Sequence, residues 1–198
     1  VYSPAITDFV FMTEGTGHMF ITGPRVIEAV THEKIDLDGL GGAGVHASQS
    51  GVAHFTAPDE DQLFDRVRWL LSYLPSNNLE APPFRETEDD PHRPTPECAE
   101  FVPESPDRPY DVRRVIGALV DGGTFLEVQE AYAHNLVVGF GRLDGRAVGI
   151  VANQPAHLAG VLDIDASDKG ARFVRVCDAF HIPLVTLVDT PGFLPGVE

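Results

Sequence analysis

From Pro58 to Leu74 the apolar positions Leu63, Val67, Leu70, Leu71 and Leu74 recur every three or four residues. That is the period of one helical face. Acids crowd the first turn, and Pro75 with Asn77-Asn78 follows, so the pattern predicts a helix that stops there. "GPRVIEAVTHE" reads as a shorter helix opened by Gly23-Pro24, after a short strand in "GHMFITG". "DVRRVIGALVDGG" predicts a helix with Asp111 as cap and Gly122-Gly123 as its stop. "LVVGFGRLDGRAVGIVANQ" sets two apolar runs around Asp144-Gly145, the turn signal of a β-hairpin. In "SDKGARFVRVCDAF", Phe173, Val176, Cys177 and Phe180 share a helical face that Ser167 or Asp165 caps. "IPLVTLVD" reads as a buried strand. Strand, helix and strand at this spacing make a βαβ unit, in which "VGIVAN" and "LVTLVD" run parallel. Ligands of open α/β folds sit at such strand ends, so "NQPAHLAG" and "DTPGFLPG" become neighbouring loops over one pocket.

The pattern breaks in the middle of the chain. Eight of the sixteen prolines, and many acids, lie between Glu80 and Pro109. Proline removes hydrogen-bond donors and the acids repel one another, so an extended connector is expected there. Phe84, Phe101, Val102 and Tyr110 give it points of anchorage. With 198 residues, 43% hydrophobic, the chain can bury a real core, and no apolar run is long enough to span a bilayer. Neither end carries a start or signal pattern, and both read as cut edges of a larger polypeptide. The net charge of −16 argues against nucleic acid and anionic membrane as partners. Two cysteines, Cys98 and Cys177, do not make a disulfide scaffold, and Cys177 is expected to be a buried thiol.

Several motifs suggest chemistry and fall short of it. Asp189-Thr190-Pro191-Gly192 after an apolar strand looks like the Mg²⁺-contacting turn of a GTPase. The phosphate cradle that chemistry needs is missing, and neither Lys34 nor Lys169 follows such a loop. Gly39-Leu40-Gly41-Gly42-Ala43-Gly44 fits G-x-G-x-x-G but lacks the strand before and the helix after, so it reads as a flexible loop. The histidines, His46 and His54 among them, show no ligand spacing, and no metal is expected. Ser50 and His54 lack a nucleophile elbow, so Ser50 reads as a turn residue. Asp163, Asp165 and Asp168 lack a calcium-loop pattern and read as capping and solvated acids. What remains is a pair of Gly/Pro-rich loops after parallel strands. That suits main-chain N–H groups stabilising an oxyanion, with substrate or cofactor carrying the reactive groups.

Seven stretches then match one family in order: "VYSPAITDFVFM", "TGP" with "VTHE", "SGVAHF", "LLSYLPSNN", "VVGFGRLDGRAVGIVANQP", "GVLDIDASDKGARFVRVCDAF" and "IPLVTLVDTPGFLPGVE". Across its whole length the chain resembles the carboxyltransferase (β) subunit of biotin-dependent acyl-CoA carboxylases, most of all those of the propionyl-CoA carboxylase type. The resemblance implies an α/β fold of the crotonase/ClpP-like β-β-α superhelix, in parts of two tandem domains. Residues 1–84 would be the C-terminal part of the N carboxyltransferase domain, 85–110 the connector, and 111–198 the N-terminal part of the C domain.

It also implies a reaction: carboxyl transfer from carboxybiotin to the α-carbon of propionyl-CoA, giving methylmalonyl-CoA through an oxyanion-hole-stabilised enolate. A methylmalonyl-CoA carboxyltransferase or an acyl-CoA decarboxylase subunit is the neighbouring alternative, and a non-catalytic assembly module the alternative of another class. By the same likeness, both oxyanion-hole turns fall outside the 198 residues, so no catalytic residue is assigned and these residues alone are expected to be inactive. Val1, Tyr2, Ser3 and Pro4 fall on the acyl-CoA side. Phe193, Leu194, Pro195 and Gly196, with Asn153 and Gln154, fall on the biotin side. Expected partners are biotin on a carrier domain, a coenzyme A thioester, the biotin carboxylase/biotin carboxyl carrier α subunit, and further copies of the chain, in a hexamer with active sites between protomers. No metal, nucleic acid or membrane is expected. The expected compartment is bacterial cytoplasm, with mitochondrial matrix as the alternative.

Overall fold

A computed structural model describes residues 2–105 and 108–195, which group into two compact units. The boundary falls between Arg68 and Trp69, and the short segment Gln129–Tyr132 belongs to the first unit. In chain order the first unit holds α1 (Tyr2–Ala5), β1 (Phe11–Thr13), α2 (Pro24–Thr31), α3 (Leu37–Gly41), α4 (Ala43–Ser48), β2 (Phe55–Ala57) and most of α5 (Glu60–Leu71). β1 and β2 pair in parallel, Phe11 opposite Phe55, with the two rings stacked at 4.7 Å between centroids. Val10, Met12, Ala43 and Ala53 form the small core behind them.

Two expectations are corrected in this unit. "GHMFITG" is not a strand; it makes only an isolated bridge, His18 opposite Gly42. The six-residue glycine pattern is not a flexible loop but the junction of α3 and α4, with Gly41 and Gly42 buried. A Cβ on Gly41 would lie 2.3 Å from the Met19 carbonyl oxygen. Of the two uses the glycines allow, close backbone approach is the one found here, not mobility.

The second unit holds α6 (Cys98–Phe101), α7 (Val112–Leu119), a 3₁₀ turn (Asp121–Gly123), β3 (Leu126–Val128), β4 (Leu136–Leu143) and β5 (Arg146–Asn153). A second 3₁₀ turn (Leu158–Gly160), α8 (Ile164–Ala179) and β6 (Leu184–Leu187) complete it. The sheet order is β3-β4-β5-β6, antiparallel up to β5 and parallel between β5 and β6. Gly149 to Ala152 pair with Leu184 to Leu187, as the βαβ reading required. Asp144 and Gly145 both take left-handed φ values, 52° and 71°, and close the hairpin between β4 and β5. Side chains alternate about this sheet with a period of two. Val137, Val148, Ile150 and Ala152 pack with Val112, Ile116 and Val120 of the α7 region. On the other face, Phe140 meets Phe173 of α8 at 5.0 Å between centroids, and Cys177 lies beneath Gly149.

Three more expectations change here. α8 begins earlier than "SDKGARF", because Asp163 and not Ser167 or Asp165 caps it, accepting the Ala166 N–H at 2.9 Å. β6 is not fully buried: Leu184 is 40% exposed, and the strand stands at the edge of the described sheet. The connector carries a little regular structure, α6, and is strapped to the second unit. Arg85 N–H donates to the Gly145 carbonyl at 2.9 Å, and the Asp89 carboxylate accepts from Gly122 N–H at 2.7 Å and from the Arg93 guanidinium. The acids there do not simply repel; Asp89 is held below the usual carboxylate range, first by Arg93 and then by Gly122.

Burial pushes the Cys177 thiol up to about 12. In the folded full-length protein at pH 8, iodoacetamide is therefore expected to alkylate the half-buried Cys98 and to spare Cys177 until denaturant is added. Mass spectrometry of native and denatured samples checks this; equal labelling of both in the native state would contradict the packing described.

Candidate functional site

β5 runs into Asn153 and Gln154, the first residues of one candidate loop, and β6 runs into Asp189, the first of the other. Asn153 and Gln154 are 6% and 0% exposed, so their carboxamides must find partners within the protein. Asn153 donates to the Gly160 carbonyl at 3.0 Å and accepts the Asp189 N–H at 3.3 Å, which ties the two loops to each other. Gln154 accepts the N–H of Val112 at 3.2 Å and of Ala156 at 3.3 Å, and donates to Asp111 at 2.6 Å. Both side chains are engaged by neighbouring chain, so their part in a site is to hold its loops.

The loop after β5 carries backbone strain. Leu158, Ala159 and Gly160 have φ of 49°, 51° and 72°, a left-handed turn in which only the last residue is the type that favours it. Non-glycine residues hold such values only where their surroundings over-determine them, and such strain gathers at functional loops. At Gly160 close contact requires glycine: a Cβ there would lie 2.4 Å from the Asp189 carbonyl oxygen. Beyond the contact the loops pair as a short parallel bridge, Leu162 N–H to Gly192 O at 3.0 Å and Leu194 N–H to Leu162 O at 2.8 Å. Phe193 and Leu194 are left facing out, 75% and 55% exposed, and Pro195 is exposed beside them. Gly196 lies outside the described residues.

A cavity of about 820 Å³ opens beside these loops, lined by Pro155, Ala156, Ala159 and Asp189–Pro191, with connector residues closing its other side. Tyr110 stands at its edge and donates its hydroxyl to Asp189 Oδ2 at 2.8 Å. Burial, the bond to Asp189 and the charge of that carboxylate push the Tyr110 phenol up to about 12, so it keeps its proton. At Asp111, burial raises the pKa, but bonds from Gln154 and Arg113 prevail and hold it below the usual carboxylate range. In the first unit, Ser3 and Pro4 are exposed on α1, and Pro4 lines a separate cavity of about 570 Å³ with Val10–Thr13 and Thr16–Phe20. Val1 and the side chain of Tyr2 lie outside what is described. Among the described residues no group of three or more metal-ligating side chains converges.

Residues 1–198 all match the model of the carboxyl transferase domain. The chain belongs to the carboxyl transferase domain family. It is 59% identical, over all of its length, to the carboxyltransferase subunit of propionyl-CoA carboxylase from Haloferax mediterranei, of which it covers 38%. It is 54% identical to the methylmalonyl-CoA decarboxylase subunit alpha of Veillonella parvula, covering 39% of that protein. Its fold matches a crystal structure of hexameric transcarboxylase 12S with methylmalonyl-CoA and methylmalonic acid bound. That match has a TM-score of 0.95 and 54% identity, over 99% of this chain and 38% of that one. The chain therefore spans well under half the length of these relatives, and its mixed α/β fold is the crotonase-like fold of carboxyl transferases.

Sequence reasoning singled out the loops of this carboxyl transferase domain but not what fixes them. Tyr110 anchors the connector, as expected of it, but no pattern pointed to Asp189 as its partner; only Gly160 hinted at the left-handed turn. Ser50 and His54, paired on paper by spacing, do not meet. Ser50 Oγ bonds His46 Nδ1 at 2.8 Å, while His54 Nδ1 accepts the Val10 N–H at 3.0 Å.

Asp111 caps α7 by accepting the Arg113 N–H at 3.0 Å, so Asp111→Ala is expected to cost about 1 kcal/mol at pH 7. Because the folded carboxyl is depressed, its contribution is present above the unfolded pKa of about 3.9 and is lost as pH falls through the lower folded value. Urea unfolding at several pH values checks the sign: the gap between wild type and variant narrows below about pH 4.

Proposed function

We propose that the polypeptide carrying this sequence is the carboxyltransferase subunit of a biotin-dependent acyl-CoA carboxylase, acting on propionyl-CoA to give methylmalonyl-CoA. One observation carries the reading. Relatives that match the whole chain at 54–59% identity are named for propionyl- or methylmalonyl-CoA, one group of them for acetyl- as well as propionyl-CoA, and the ligand of the matching hexamer is methylmalonyl-CoA. Residues 1–84 are then part of the N carboxyltransferase domain, 85–110 the connector and 111–198 part of the C domain. The assembly is a hexamer working in the cytoplasm with a biotin-bearing α subunit.

Carboxybiotin, when bound, would supply the carboxyl group and leave as biotin. The cavity beside Pro155, Ala159 and Asp189 fits such a group: it has the size of a small-molecule site, a proline and alanine wall suited to a bicyclic ring, and hydrogen-bonding groups at Asp189, Thr190, Ser105 and Arg108. Pro155, Ala156 and Ala159 give it an apolar wall. Asn153 and Gln154 hold the two loops at fixed separation, and the exposed Phe193 and Leu194 offer an apolar surface at the rim. Ser3 and Pro4, beside the second cavity, shape the acyl-CoA side. Oxyanion stabilisation by main-chain N–H groups does the chemistry, with no side-chain base required from these residues.

The neighbouring reading, a decarboxylase or transcarboxylase subunit sharing this half-reaction, is favoured by the 54% identity to the Veillonella parvula protein and to transcarboxylase 12S. Full-length polypeptide incubated with carboxyl-labelled methylmalonyl-CoA and free biotin is expected to move label to biotin, and to do so faster than from malonyl-CoA. No transfer from either thioester sinks the proposal. With partner subunits added, ATP-dependent carboxylation of propionyl-CoA separates the carboxylase from its relatives.

A further inference from the structure

The cavity in the second unit has walls of different origin. One comes from the loops after β5 and β6, through Pro155, Ala159 and Asp189; the other comes from the connector, through Val102, Pro103 and Arg108. The walls meet where Tyr110, the last connector residue, reaches Asp189 across 79 positions of sequence. Each end of that bond is anchored in its own wall, and the bond joins the two walls. The Tyr110 ring packs against the cluster of Val112, Ile116 and Val120, and the next residue, Asp111, is fixed both as helix cap and by Gln154. Asp189 in turn has its N–H held by Asn153 and its carbonyl pressed against Gly160. Its carboxylate is the remaining handle on the turn, and Tyr110 occupies one of its oxygens. Thr190 and Gly192 close the rest of the turn on themselves, Thr190 Oγ1 accepting the Gly192 N–H at 3.1 Å.

We propose that Tyr110 is a positioning residue for carboxyl transfer: its hydroxyl clamps the Asp189–Gly192 turn to the connector and thereby sets the width of the biotin-side cavity. This rests on the reading of that cavity given above. The connector is then a working wall of the site as well as a link in the chain. The bond runs from a neutral phenol to a carboxylate, the stronger kind of hydrogen bond, and its loss opens the cavity without removing any group that touches the acyl-CoA.

Tyr110→Phe keeps the ring packing and deletes only the donor. In the full-length protein, with free biotin as acceptor and methylmalonyl-CoA as donor, the variant is expected to raise the KM for biotin roughly tenfold, the loss of one bond to a charged group. The KM for methylmalonyl-CoA and the melting midpoint stay where they were. Asp189→Asn retains an oxygen that can accept the bond and is expected to fall between wild type and Tyr110→Phe. A biotin KM unchanged in Tyr110→Phe, or both KM values rising together with a lowered melting midpoint, overturns the proposal. Amide hydrogen exchange of the unliganded protein tests the clamp independently of any activity. Exchange at Asp189–Phe193 is expected to quicken in Tyr110→Phe while β4 and β5 stay protected, and unchanged exchange there overturns the clamp even in an active enzyme. Wild-type protein that moves no carboxyl group at all refutes the functional reading instead, and leaves the exchange result to judge the clamp.

Discussion

Asn153 and Gln154 stand at the end of β5 with almost no access to water, so each hydrogen bond they form must be found in the protein or forfeited at a cost of about 1–3 kcal/mol. Their partners come from four places: the Gly160 turn, the start of the Asp189 loop, the first N–H of α7, and the Asp111 cap. A carboxamide can serve donors and acceptors at once, and so joins segments that apolar packing alone would leave to slide. The two loops, the helix and its cap Asp111 take their mutual geometry from this pair. Moving one of them breaks a bond to another, which is how a strained left-handed turn at Leu158 and Ala159 is kept in place.

The site that results depends little on titrating side chains. Tyr110 and Cys177 are both pushed up to about 12, and both hold their protons across the range in which the protein works. Asp111 and Asp89 are shifted the other way and stay ionised, each spent on capping or strapping main chain. Charge here builds much of the frame, and the cavity sets proline and alanine beside the polar side chains of Glu104, Ser105, Arg108, Asp189 and Thr190. That division suits a reaction whose reactive groups arrive with the substrate and a carried cofactor.

Much of the fold was legible because the signals were local. The hairpin follows from Asp144-Gly145, the α7 start from Asp111, and the parallel pairing of β5 with β6 from strand, helix and strand at the right spacing. What was not legible was set by tertiary contact. The cap at Asp163 outcompeted Asp165 and Ser167 because its carboxylate reaches Ala166 N–H, which no spacing rule separates from the alternatives. "GHMFITG" alternates like a strand, yet finds only Gly42 to bridge. The glycine pattern at Gly39–Gly44 looked loose because sequence does not reveal that Met19 presses on Gly41. Around the site, the loops were visible as Gly- and Pro-rich ends of strands. The Tyr110–Asp189 bond was not, since 79 residues of chain separate its partners.

The β4–β5 hairpin also orders events in time. Eight consecutive pairs close across a two-residue turn, so this ladder needs almost no loop closure and can zip within microseconds, before distant parts of the chain have met. The pairing of β5 with β6 must wait for the intervening α8 to form and dock, and the bond between connector and loop waits for both. By sequence separation the Tyr110–Asp189 bond, its partners 79 residues apart, depends on a sheet already paired, whereas the hairpin depends on nothing beyond its own turn.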